Sequence, residues 1–352
     1  MPDLRVVARF MPFLLLLACT MAKETSAPSP LATAVVTARG ETAAVQTRNA
    51  DAADDPAIWQ NINDPAASLI VGTDKKAGLY VYGLDGKVRD FNNAGRVNNV
   101  DLAEFASQIV VAASDRNDPA NGKVALFKLD PASARLAPMG TVAAGPGEAY
   151  GLCLYSHGNA LDAFVVMKNG TIRQLSLDLE SSAPRATIVR TLKLGTQSEG
   201  CVVDPRTHRV YVAEEDVGLW RFDAHSDGPV TPIRIAAADG QQIVADAEGV
   251  AIAAEGQSGG YLIVSSQGDS AYAVYDLASE TYVGRFRVGA GAAIGGTNET
   301  DGIALATGNF GPLFPAGLMV IQDGINLPKA QNFKLVSWAD IKAALGLLQV
   351  KP

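Results

Sequence analysis

Short apolar runs alternate with polar punctuation along nearly the whole chain, and the pattern returns about every 50 residues. In each copy a polar residue stands before a first apolar run: Asp55-Pro-Ala-Ile-Trp, Asp101-Leu-Ala, Tyr150-Gly-Leu-Cys-Leu, Glu199-Gly-Cys-Val-Val, Glu248-Gly-Val-Ala-Ile and Asp301-Gly-Ile-Ala-Leu, spaced by 46, 49, 49, 49 and 53 residues. A second run then ends in a polar cluster. These are Leu69–Thr73 before Asp74-Lys75-Lys76, Ile109–Ala113 before Ser114-Asp115-Arg116, and Phe164–Met167 before Lys168-Asn169. The later three are Val210–Ala213 before Glu214-Glu215-Asp216, Tyr261–Ser266 before Gln267-Gly268-Asp269, and Leu318–Ile321 before Gln322-Asp323-Gly324. A third run alternates in most copies, as in Leu79-Tyr-Val-Tyr and Tyr272-Ala-Val-Tyr, and five copies carry a weaker fourth.

Two-residue alternation, β-branched content and Gly/Asp punctuation predict strands. Four strands per repeat and six repeats predict an all-β fold, a six-bladed β-propeller of four-stranded antiparallel blades. The sixth copy lacks a fourth strand. The strand-like segment Ala34–Gln46 is expected to complete that blade and close the ring, which removes an exposed edge. A short helix is expected over Trp338–Leu347. In an antiparallel blade the first strand starts where the second ends. The six strand-start residues and six strand-end clusters should therefore meet around one mouth of the central channel.

The N-terminus follows a different pattern. Arg5 and Arg9 precede the apolar stretch Phe10–Ala18, too short to span a bilayer, so residues 1–18 are expected to be an export signal. Leu16-Leu17-Ala18-Cys19 resembles a lipobox, which would put a lipid anchor on Cys19; a plain secretory signal is the alternative. Residues 19–30 read as a tether and 31–347 as one propeller domain. The formal charge is −8, and the signal carries a net +1, so the remainder holds −9. Such a chain does not collect nucleic acid or anionic membrane through its overall field. Cys153 and Cys201 fall on opposite faces of first strands in adjacent blades. A disulfide between them and a pair of buried thiols both fit.

The residues converging on the mouth are sorted by charge. Strand ends of the first three copies supply Lys75, Lys76, Arg116 and Lys168; those of the last three supply Glu214, Glu215, Gln267 and Asp323. Strand starts add Asp55, Asp101, Glu199, Glu248 and Asp301, with Asp54 and Asp246 beside two of them. One Asp-Gly or Glu-Gly pair reads more simply as a turn, and one strand-end lysine as solvated. Sorting over six copies is what points to a site. Crowded carboxylates and amides suit several Ca²⁺ ions. No zinc pattern appears, because His157, His208 and His225 lack a partner spacing. A basic arc facing a calcium-charged arc suits a multiply phosphorylated small molecule.

Several stretches resemble the β-propeller phytases. They are Asp54-Asp55-Pro56-Ala57-Ile58-Trp59, Gly72-Thr73-Asp74-Lys75-Lys76, Asn98-Asn99-Val100-Asp101, Glu148-Ala149-Tyr150-Gly151, Ser198-Glu199-Gly200, Ala213-Glu214-Glu215-Asp216, Ala245-Asp246-Ala247-Glu248-Gly249, Ser265-Ser266-Gln267-Gly268, Thr300-Asp301-Gly302, Gln322-Asp323-Gly324 and Gln331-Asn332-Phe333-Lys334. The resemblance spans roughly residues 45–342. It implies a monomeric calcium-dependent 3-phytase, which removes phosphates from phytate, myo-inositol hexakisphosphate, presented as its calcium complex. By the same resemblance Asp54, Glu199, Glu215, Asp246 and Glu248 ring the catalytic ions. Asp55 with the carbonyls of Pro56 and Val100 matches a channel calcium, and Asp301 with Asn326 a peripheral one. Lys75, Arg116, Tyr150 and Lys168 match phosphate binders in a cleavage site and an anchoring site, with Lys76 beside them. Asp323-Gly324-Ile325-Asn326 departs from the family's Asp-Gly-Glu-Asn and loses a carboxylate.

The expected chemistry is attack on phosphorus by a calcium-activated water. Residues for other phosphatase chemistries are missing: there is no Arg-His-Gly motif, no Gly-x-Ser-x-Gly elbow and no Walker loop. A propeller lactonase would not need four basic residues, and a binding platform would not need sorted charges.

Overall fold

In a computed structural model the chain folds as the repeat predicts; the structure describes residues 27, 29–181 and 183–348. The expected export signal and Cys19 lie outside the described residues. At the end of the expected tether, Ser29 N donates to Asp269 Oδ2 at 3.1 Å. Among the described residues no helix is long and apolar enough to cross a membrane.

Six sheets surround a central axis. Their innermost strands are Ala53–Trp59, Val97–Phe105, Ala149–His157, Ser198–Asp204, Ala247–Glu255 and Ile303–Thr307, in blades one to six. In the sixth blade Gly317–Asp323 and Asn332–Ser337 follow, and Gly40–Glu41 pairs antiparallel with the latter as the outermost strand. The N-terminal segment thus closes the ring, but it does so with two residues. Its earlier strand, Ala34–Thr37, instead pairs parallel with Tyr282–Gly289 and gives blade five a fifth strand. The helix is Trp338–Ala344, which buries Trp338 and Ile341 in the layer between blades five and six.

The apolar side chains do not form one central core. They form layers between neighbouring blades, such as Val71, Val81, Val111 and Phe127 between blades one and two. Alternation explains this: each strand sends one face toward each neighbouring blade. The axis is left to the polar strand starts. Cys153 and Cys201 belong to the layer between blades three and four and are joined by a disulfide, with Cα atoms 5.7 Å apart. The bond closes a separation of 48 residues. Replacing both cysteines by alanine should lower stability by about 2–4 kcal/mol in chemical denaturation. Unchanged stability would mean that the apolar layer alone holds the two blades.

Candidate active site

The local device that builds the site is a bulge. Register with the second strand shifts at the start of the first strand in five blades: between Ala53 and Pro56, Val97 and Val100, Ala149 and Gly151, Ser198 and Cys201, and Ala247 and Val250. A bulge re-aims a side chain out of the regular alternation. The residues it turns toward the axis are Asp54, Asn98, Tyr150, Glu199 and Glu248, with Asp301 in the equivalent place of blade six. Glycines follow four of these residues, and two show why. A Cβ on Gly151 would strike the carbonyl oxygen of Glu199, and one on Gly200 that of Glu248. Neither glycine has a positive φ, so the Tyr-Gly and Glu-Gly pairs are close inter-blade contacts rather than turns.

This register corrects the sequence alignment of blade two. Asp101 is not the counterpart of Glu199; Asn98 is. Asp101 lies further along the strand, where its carboxylate accepts from the backbone N–H groups of Leu102 (2.7 Å) and Leu154 (2.8 Å). Burial raises Asp101 to about 6 against these donors. It lines a channel of about 310 Å³ below the mouth, with Asp55, Pro56 and Val100. Asp55 Oδ2 accepts from Val100 N at 3.0 Å. Burial, then Asp54 and Asp101, push the Asp55 carboxyl well above the usual range.

At the mouth, carboxylate oxygens of Glu199, Glu215 and Glu248 lie within 4.8 Å of one another, and all three side chains are buried. Glu215 Oε1, Glu248 Oε2 and Asp54 Oδ2 have no hydrogen-bond partner. Burial, followed by Asp54 for Glu199 and by Glu199 for Glu248, raises both carboxyls well above the ordinary range. Burial moves Glu215 to about 6, with nearby Asp246 adding to the rise and Lys168 opposing it. An oxygen-only donor set with orphaned lone pairs fits a hard divalent cation. It does not fit zinc, which favours nitrogen and sulfur.

Lys75 is on this acidic side rather than in the basic arc. Its ammonium contacts Asp51 (2.8 Å), Asp301 (3.0 Å) and Asp54 (3.1 Å). Burial alone would lower its pKa; the three carboxylates more than offset that and raise it. Asp301 also accepts from Gln267 Nε2 at 2.6 Å, and burial lifts its carboxyl to about 8. Asp301 therefore lies at the centre, in contact with Lys75 and Gln267.

Asn326 and Asp323 gather elsewhere. Lys334, with no exposed side-chain surface, reaches Glu41 (2.6 Å), Asp323 (3.2 Å) and Asn326 Oδ1 (3.2 Å). The peripheral donor set is already filled by an ammonium group, so it does not fit a calcium ion as well.

The basic arc is Arg116 and Lys168, with Tyr150 between them. The Arg116 guanidinium lies 5.5 Å from the ring centroid of Tyr150, and Lys168 Nζ lies 4.7 Å from it. Asn98 ties the arcs together: it accepts from Arg116 at 2.7 Å and donates to Glu199 at 2.7 Å. Arg116 Nε is buried without a partner. The nearby charges, Glu199 first and then burial, raise Tyr150 above its ordinary value, so its hydroxyl stays protonated. Lys76 is exposed, one residue beyond Lys75. Asn98 and Asp51 carry no role in the sequence reading. Asn98 is an amide where other copies carry acids, and Asp51 precedes the first repeat.

A propeller whose mouth sets clustered carboxylates against an arginine, a lysine and a tyrosine suits an anionic ligand held beside cations. The chain belongs to the phytase family, whose profile matches residues 5–350, and is thus a phosphoric monoester hydrolase. It is 36% identical over 328 residues to a 3-phytase of Bacillus subtilis (strain 168), covering 88% of this chain and 85% of that protein. A chain in a crystal structure of the mitotic checkpoint complex is similar in fold, with a TM-score of 0.50, 14% identity, and coverage of 94% of this chain and 98% of that one. That likeness concerns the fold alone.

Proposed function

We propose that the chain is a calcium-dependent phytase that hydrolyses phytate at this mouth, with one phosphate at the carboxylate cluster and a neighbouring one anchored by the basic arc. The observation that carries the reading is the buried trio Glu199, Glu215 and Glu248, with orphaned oxygens, facing Arg116 and Lys168 across Tyr150. Glu199, Glu215, Glu248, Asp54 and Asp246 would hold the calcium ions, and Asp55 a further one in the channel. Bound there, calcium supplies charge against the phosphoryl oxygens and acidifies water for attack on phosphorus. Lys75 holds Asp54 and Asp301 in place. The protonated Tyr150 donates a hydrogen bond rather than acting as a base. Phosphate release from phytate, with calcium and after chelation, tests the proposal against a lactone substrate. Chelator-resistant release, or lactone turnover alone, would overturn it.

Arg116 offers the next check. Asn98 and Glu148 hold one nitrogen of its guanidinium, at 2.7 and 3.5 Å, and its unpartnered Nε leaves a donor for a phosphate. Lysine keeps the charge but not the fork. Arg116→Lys should raise KM for phytate roughly 10-fold with a smaller change in kcat, the signature of weakened binding of a bidentate anion. A kcat loss at constant KM would move Arg116 from anchoring to the reacting phosphate.

The Cys153–Cys201 disulfide fits an oxidising compartment. That supports an exported enzyme, read here as a monomer with Cys19 as the candidate lipid anchor.

A further inference from the structure

The fold brings together three residues that the sequence leaves far apart. The three histidines of the chain, His157, His208 and His225, meet at the face opposite the mouth. The strand Ala149–His157 begins at the mouth beside Tyr150 and ends here, which places the cluster about 20–25 Å from the carboxylate trio. The His157 ring stacks on Tyr155 with centroids 4.3 Å apart, and Tyr155 Oη bonds His208 Nδ1 at 2.6 Å. The rings of His208 and His225 are also 4.3 Å apart. His225 Nδ1 bonds Asp223 Oδ1 at 2.9 Å, and the backbone N–H of His225 donates to the same oxygen at 2.8 Å.

We propose that His208 and His225 bind one divalent transition-metal ion, of the Zn²⁺, Ni²⁺ or Cu²⁺ class, at a site separate from the catalytic mouth. Imidazole nitrogen suits these ions, whereas Ca²⁺ takes oxygen. Each ring has its Nδ1 held by an oxygen partner, Tyr155 or Asp223, while no hydrogen bond or ion pair reaches its Nε2 among the described residues. This is the arrangement of metal-binding histidines, in which an outer hydrogen bond fixes the ring and its tautomer. Two imidazoles sharing a tetrahedral ion have centroids about 5 Å apart. The observed centroids, 4.3 Å apart, fall within about 1 Å of that separation. His208 is carried on the turn between the first two strands of blade four, with φ +53°. His225 lies in the loop after the third strand, Gly218–Asp223. His225 is exposed, so an ion has access from solvent. Such an ion would clamp the turn to the loop without touching the reaction.

Zinc titrated calorimetrically into the calcium-saturated, disulfide-bonded protein tests this. Wild type should bind one equivalent and gain thermal stability, with no change in phytate turnover. Glu199→Gln should bind the same equivalent. His208→Asn, chosen because asparagine tolerates a positive φ, and His225→Ala should each lose it. Their unfolding midpoints in calcium without zinc should match wild type. Wild-type binding in either histidine variant, loss of the equivalent in Glu199→Gln, or no zinc binding by wild type would each overturn the proposal.

Discussion

Glu199→Gln is expected to lower kcat/KM on phytate by about 10³-fold, roughly 4 kcal/mol of transition-state stabilisation. The substitution keeps the size of the side chain and an acceptor for Asn98, which now donates to Glu199 at 2.7 Å. It removes one of three carboxylates whose oxygens lie within 4.8 Å of one another. A cation held there would lose a charged ligand, and charge on the phosphoryl oxygens would lose part of its counterweight. Stability should move the other way when calcium is removed. Burial and the charge of Asp54 oppose ionisation of Glu199 in the fold. Glutamine needs no proton and feels no repulsion, so in chelator at pH 8 the variant should unfold at a higher temperature than wild type. In calcium the order should reverse. Near-normal turnover would remove Glu199 from the site, and lower stability in chelator would show that its charge is compensated by protein groups alone.

The sequence makes the propeller legible because the repeat is a property of the backbone: six copies of the same strand alternation leave little choice of architecture. It also places most of the mouth, since Tyr150, Glu199 and Glu248 follow one another at equal spacing. It fails where side chains substitute for one another. Blade two carries an amide, Asn98, at the bulge, and the eye moves to the next acid, Asp101. Lys75 is grouped with the basic strand ends by type, and the sequence does not show that its ammonium sits among Asp51, Asp54 and Asp301. Asp323 and Asn326 look like ligands, yet Lys334, eight residues beyond Asn326, reaches them across a turn. The histidines could not be read together at all. Their adjacency depends on three strands ending on the same face of two neighbouring blades.

Removing calcium should cost little stability at pH 5 and much more at pH 8, with the gap between the two unfolding midpoints widening to roughly 10 °C, the order expected when ions are supplied well above their dissociation constants. The sign follows from the direction of the carboxyl shifts. Burial raises Glu215 and Asp101 to about 6 and Asp301 to about 8; Glu199, Glu248 and Asp55 are raised further by burial and by one another's neighbours. In the unfolded chain these groups ionise near pH 4. Above that pH the unfolded state binds fewer protons than the calcium-free fold, so the fold loses stability as pH rises, through about 6 and then about 8. Calcium supplies the missing counter-charge, and its binding releases those protons, so its stabilising effect grows over the same window. Carboxylates shifted the opposite way, such as Glu41 beside Lys334, act equally with and without calcium and cancel from the difference. Thermal unfolding at pH 5, 6, 7 and 8, with calcium and with chelator, reads the gap directly. A gap that is constant with pH, or largest at pH 5, would mean that the buried acids at the mouth are not where calcium binds.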